Sequence, residues 1–219
     1  GAHVGRYEFH EKPKQGEPKY LEVDNYLKGK SIDSKAFDHK RLRIGYQRGS
    51  AIDNWRRIIA TIIEPNNFCS DTINYIVEPQ YLNLHAILAL LNSRVLEWRF
   101  RLTSTNNHVN SYEIDSLPIP RISFTTPEKQ RKETVERFES FYSSSNYDNI
   151  ITDVETCLPE KSDIVHDLLV YLAEQMIEMK RKKNEEIKGF LKWFEREIGA
   201  EIDSLANKTA IKEYHETDF

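Results

Sequence analysis

Three arginines, Arg41, Arg43 and Arg48, are followed within ten residues by Trp55-Arg56-Arg57, which interleaves guanidinium forks with an aromatic face. A guanidinium can bond bidentately to guanine O6/N7 or to phosphate, and an asparagine amide can do the same to adenine N6/N7. Such amides occur together in Thr105-Asn106-Asn107-His108-Val109-Asn110, and Lys28 and Lys30 add cations upstream. The chemistry these residue types suit is contact with a nucleic acid. The competing reading is that strand arginines only keep a face solvated and that Trp55 fills a core.

Other reactive-looking groups lack the companions their chemistry needs. Asp38-His39-Lys40 and Glu186-Ile187-Lys188 have the acid-x-Lys form of metal-dependent nucleases, but one falls in a polar loop and the other on a helix. No His-Glu-x-x-His occurs and no histidine pair has i,i+4 spacing, so a helical zinc site lacks ligands. Gly-rich phosphate loops and a Gly-x-Ser-x-Gly elbow are missing too. The expectation is a non-catalytic chain with no cofactor of its own.

Composition agrees with a folded protein. The chain has 219 residues, 39% hydrophobic and 30% charged, with 8 Gly and 8 Pro, enough for one large domain or two small ones. Lys and Arg number 17 against 14 Asp and Glu up to Phe124, and 14 against 21 beyond it, so the formal net charge of -4 hides a mildly basic first part and an acidic second. No run approaches 18 apolar residues and no secretory signal pattern opens the chain, which predicts no membrane span. Two cysteines, Cys69 and Cys157, cannot build a disulfide framework, and a cytoplasmic location is expected.

The elements that must carry these groups follow from periodicity. Lys12-Pro13-Lys14 and Glu17-Pro18-Lys19 mark an irregular start with short strands. Alternation over Arg41–Tyr46 predicts a strand with Leu42, Ile44 and Tyr46 on one face and Arg41 and Arg43 on the other. Strands over 57–63 and 72–77, joined by a turn rich in Pro and Asn, resemble a hairpin or a sheet corner. Leu84, Ile87, Leu88, Leu91, Val95 and Trp98 make one apolar stripe on a helix over 81–101, followed by a loop over 103–110. Leu117-Pro118-Ile119-Pro120 is expected to be extended. Helices are predicted over 127–142 and from Ser162 or Asp163 onward. There the polar run Arg181–Glu186 permits one long helix or two antiparallel ones. The fold class is α+β: a mixed, sheet-containing domain over 1–124, then a helical bundle or coiled-coil region over 125–219.

Several of these segments coincide with a known family. Tyr46–Ser50, Trp55–Thr61, Ala89-Leu90-Leu91-Asn92-Ser93 and Asn110–Pro120 resemble the TaqI-like C-terminal specificity domain, the target-recognition part of type IIG restriction-modification enzymes and related adenine-N6 DNA methyltransferases. Leu168–Met179, Phe190–Glu195 and Leu205–Thr209 resemble the helical tail of such enzymes, so the likeness spans about 19–214. It implies double-stranded DNA as partner, beside a methyltransferase domain or subunit that binds S-adenosylmethionine. The methylase signature Asn/Asp-Pro-Pro-Tyr is absent here, and Glu64-Pro65-Asn66-Asn67 does not replace it. The resemblance is thus to the reader, without the catalyst. In these terms Lys28, Lys30 and some of Arg41, Arg43, Arg56 and Arg57 neutralise phosphates, while Arg48 and the Asn106, Asn107, His108 and Asn110 loop read bases. Asn92 and Ser93 are expected to be helix-end or packing residues. The alternative is a helical docking module for a methylase, nuclease or translocase subunit.

Overall fold

A strand does form where Arg41–Tyr46 alternates, but both of its faces are covered. In the computed structural model, which describes residues 2–10, 20–79 and 81–216, the elements in chain order begin with a small antiparallel pair, β1 (Val4–Gly5) and β2 (Glu8–Phe9). Helix α1 (Val23–Leu27) and a 3-10 turn over Lys35–Lys40 lead into β3 (Arg43–Gln47), β4 (Ala60–Ile63) and β5 (Ile73–Val77). Lys12-Pro13-Lys14 and Glu17-Pro18-Lys19 lie outside the described residues.

The sheet order is β4-β3-β5, antiparallel throughout. The expected hairpin of the second and third strands is therefore corrected: β4 and β5 flank β3, and the 64–72 connection carries the chain across it. Asn66 turns this connection at a φ of 67° with its N–H on the His39 carbonyl, 2.7 Å away. Ile44 and Tyr46 are buried on one side, where α2 (Leu84–Leu91) packs. On the other, a Cβ added to Gly45 would stand 2.1 Å from Ile63 Cδ1, so only glycine fits there without displacing a buried side chain.

The single helix expected over 81–101 is two. Asn92, fully buried, ends α2 and turns its amide onto strand β4, with Oδ1 accepting from Ala60 N–H at 3.3 Å and Nδ2 donating to Ala60 O at 3.0 Å. Ser93 then caps α3 (Arg94–Arg101), its Oγ accepting from Leu96 N–H. Of the two expected roles, helix-end or packing, both residues take the first, at a break that the expected single helix did not include. The break changes which side of the second helix meets the core: Leu96 and Phe100 point inward, whereas Val95 and Trp98 are 69% and 61% exposed.

Beyond the short helix α4 (Ser111–Asp115), Leu117-Pro118-Ile119-Pro120 belongs to no strand. The chain from there is fastened at 125–126 by Asp163, fully buried, whose carboxylate accepts from the Thr125 and Thr126 N–H groups and the Thr126 hydroxyl. Helices α5 (Glu128–Ser143), α6 (Tyr147–Cys157) and the first turns of α7 (Ser162–Ile198) share a core of Phe138, Cys157, Ile164 and Leu168. The chain divides into two compact units, Gly1–Gln175 and Met176–Phe219. The boundary expected after Phe124 lies inside the first, where His166 of α7 accepts a bond from the N–H of Asn83, the N-cap of α2.

Between the two alternatives for the C-terminal region, α7 is one uninterrupted helix of 37 residues. Arg181 holds the polar interval together by bonding Glu178 and Glu185, three and four residues away. Its guanidinium draws the Glu178 carboxyl down to about 2. The helix ends at Gly199, whose φ of 66° is left-handed. In the second unit the Phe190 ring meets Tyr214 at 4.4 Å, and Ile202 is buried above α8 (Lys208–Lys212) and its flanking turns. Among the described residues no helix is long and apolar enough to cross a membrane.

Candidate nucleic-acid interface

Two loops leave the same end of the sheet layer, 48–56 after β3 and 103–110 after α3. Their main chains are joined: Ser50 N–H donates to Asn107 O at 3.0 Å, Val109 N–H donates to Arg48 O at 2.7 Å, and Gly49 and His108 form a β-bridge. The Asn107 Oδ1 accepts from Ile52 N–H at 3.1 Å. Beneath this seam lies Arg57, 1% exposed. Its Nη1 donates to Ser104 Oγ, and its Nη2 reaches the carbonyls of Asn106 (2.5 Å), Ser50 (3.3 Å) and His108 (3.3 Å). The guanidinium also lies 5.1 Å from the centre of the Phe100 ring.

Neighbouring acidic and basic side chains complete the fastening. Glu97, on the inner face of α3, accepts from the N–H groups of Arg57 and Ile58 and from Arg101 Nε at 2.6 Å. Arg101 in turn donates to the carbonyls of Ile52 and Asn54. At the far side of the seam, Asn110 and Glu113 form the capping box of α4. Burial alone would raise the Glu113 carboxyl. The Asn110 N–H and the Ser104 and Asn110 side chains outweigh that effect, aided by the Arg57 charge, and hold it below the usual carboxylate range. A carboxyl lowered in the folded state stabilises above its unfolded value, and that contribution disappears as pH falls through the folded value. We therefore expect the thermal stabilities of wild type and Glu113→Gln to differ at pH 7 and to converge on acidification below about pH 4. A constant gap in melting temperature from pH 7 to pH 3 would refute this assignment.

The residues singled out by type now separate into three groups. Arg48, Trp55, Asn107 and His108 are exposed on the joined loops, Trp55 at 79%, and Asn106 is half-buried beside them. The Asn106 Oδ1 accepts from His108 N–H, and no bond within the described residues engages the Nδ2 of Asn106 or Asn107. Lys28, Lys30 and Arg41 are also exposed, but in another place. Arg41 precedes β3 and Arg48 follows it, which separates them by roughly 20 Å at about 3.3 Å per residue. Lys30 lies over the Tyr26 ring, which meets Phe68, and Phe68 stacks on His39 at the Arg41 end.

The third group is internal, and its expected role is corrected. Arg43, 2% exposed, donates to the carbonyls of Asn67 and Arg41 and lies over the Tyr75 ring, so it holds the 64–72 connection. Arg57 is committed to the loop seam. Arg56, 8% exposed, lies against Trp55 and donates to Ser93 O. Asn110 is engaged by Glu113. The expected outer face of β3 is covered by the connection from β4, and these guanidiniums satisfy main-chain carbonyls that are buried or part-buried.

Glu97, Arg101, Ser104 and Glu113 were not anticipated as parts of the site. The signals that could have found them are the Glu97/Arg101 spacing of four on a helix and, for Glu113, the Asn-x-x-Glu spacing of a capping box. Asp38-His39-Lys40 serves packing: Asp38 accepts from the Tyr75 hydroxyl, which burial and then Asp38 push up to about 12, and His39 is buried with its Nδ1 on Ala36 O. Among the described residues no group of three or more His, Cys, Asp or Glu could hold a metal ion. No family model, curated protein or solved structure matches the chain.

Proposed function

We propose that this chain is a sequence-specific reader of double-stranded DNA, the target-recognition part of a restriction-modification system built on an adenine-N6 methyltransferase, with catalysis and S-adenosylmethionine binding residing in a methyltransferase domain or subunit. The observation that carries the reading is the pair of loops locked together by Arg57, with Arg48, Asn106, Asn107 and His108 gathered along one seam. Loops held on a rigid scaffold suit base recognition, because little ordering remains to be done on binding. Lys28, Lys30 and Arg41, displaced along the strand direction, suit phosphates further along a duplex. Phosphate contacts position the protein and base contacts specify the site.

The test is a selection from a random duplex library, followed by anisotropy titrations of the full chain over a range of salt. Log affinity should fall linearly with log salt, by about 0.9 per phosphate neutralised. Arg48→Ala is expected to change the preferred sequence at a cost of about 1–3 kcal/mol, whereas Lys28→Ala weakens all duplexes alike and lowers the salt slope by about one. Failure to bind any duplex, or binding indifferent to salt, removes the proposal.

A further inference from the structure

Helix α3 presents an outward face that the core does not use. Val95, Trp98 and Leu102 recur at steps of three and four and are 69%, 61% and 60% exposed. The turn of α3 that follows Trp98 carries Arg101, whose guanidinium reaches the carbonyls of Ile52 and Asn54. Loop 48–56 is thereby tied to α3 through Arg101, and it carries two further exposed apolar side chains, Ile52 (48% exposed) and Trp55 (79%). Three large apolar side chains thus share the outward face of α3, and two more are exposed on the loop bonded to it. Contiguous exposed apolar surface of this kind marks an interaction site, and Trp with Arg is the composition that dominates binding energy at protein interfaces.

The charges around this face select the occupant. Arg94 is exposed and Arg99 half-exposed. Of the two acids on these segments, Glu97 is buried and already engaged by two N–H groups and Arg101, leaving Asp53. The rim is therefore mostly cationic. A second copy would bring arginine against arginine, which costs rather than gains. Duplex DNA would welcome the arginines but offers no apolar counterpart for Val95, Leu102 and Ile52. A helix with an apolar stripe flanked by carboxylates satisfies both features, laying its stripe on Trp98 and its acids on Arg94 and Arg99.

We propose that the outward face of α3, with Ile52 and Trp55, docks an acidic amphipathic helix of a partner protein. This site is distinct from the proposed base-reading seam, although loop 48–56 contributes to both.

The probe is a labelled 18-residue peptide with leucines at i, i+3, i+4 and i+7 spacing and glutamates on the flanks, titrated into the full chain. Its counterpart carries lysines in place of the glutamates. The acidic peptide should bind and the basic one should not. Trp98→Ala, at an exposed position that leaves the core intact, should weaken the acidic peptide about tenfold or more. Arg94→Glu with Arg99→Glu should weaken it further while improving the basic peptide. Duplex affinity should be unchanged by Trp98→Ala. Equal binding of both peptides, binding of neither, self-association abolished by Trp98→Ala, or loss of duplex affinity in that variant would each overturn the assignment.

Discussion

Replacing Arg57 by alanine is expected to lower the stability of the chain by about 3–4 kcal/mol and to abolish any duplex binding by loops 48–56 and 103–110. The magnitude follows from what is left behind. Three main-chain carbonyls and the Ser104 hydroxyl lose a charged donor, two of these bonds being buried and two part-buried, and each bond to a charged group contributes about 1.5–3 kcal/mol. Removal of the side chain also vacates the space against Phe100. Arg57→Lys should recover less than half of the loss, because an ammonium is a point donor and cannot span carbonyls on two loops at once. Urea unfolding followed by circular dichroism gives the stability, and anisotropy with a selected duplex gives the binding. A variant weakened by less than about 1 kcal/mol, with binding intact, would show that the seam holds without its guanidinium.

The second large effect is expected at Asn92. Asn92→Asp preserves shape but replaces the Nδ2 donor by an acceptor that carries charge, placing a carboxylate oxygen opposite the Ala60 carbonyl that the amide now meets at 3.0 Å. Two acceptors then face each other at a fully buried position, for a cost of about 3 kcal/mol or more. Because this amide joins the α2 end to the edge of β4, hydrogen exchange should report opening of both elements rather than local fraying of the helix. Protection unchanged in β4 would refute the proposed tie. The position is also adjacent to Arg6, which donates to the Asn92 carbonyl at 2.8 Å, so the N-terminal segment should loosen with it.

What could be read from residue order alone follows a physical pattern. Local preferences were legible: the strands, the Ser93 cap region, the helix from Glu128 and the start of α7 all come from periodicity and capping chemistry acting over a few residues. Partnering was not. Alternation at Arg41–Tyr46 gives a strand but cannot say that β4 and β5 will lie on either side of it, or that the 64–72 connection will cover the face bearing Arg43. Likewise, the apolar spacing over 84–98 is continuous across Asn92 and Ser93, and the helix is broken there, with Trp98 turned outward, where the buried Asn92 amide meets Ala60 and Ser93 caps α3. Arg43 and Arg57 illustrate the same limit for the site. Arginine on a strand reads as a solvated cation until the carbonyls around it are known, and those around Arg57 come from residues 7 to 51 positions away.

The way Arg57 grips its neighbours bears on how such a surface can change over generations. Apart from the Ser104 hydroxyl, its partners are oxygens of the peptide backbone at Ser50, Asn106 and His108, a group that every amino acid supplies. The side chain at 108 can therefore be exchanged while the anchoring of the loops persists, whereas the Asn106 amide oxygen also holds the His108 N–H. Position 107 is less free, since its amide also holds Ile52. Under the proposed function, a scaffold fastened in this manner separates the vocabulary of recognition from the architecture that displays it, so that new targets would be acquired by drift at a few positions without rebuilding the protein.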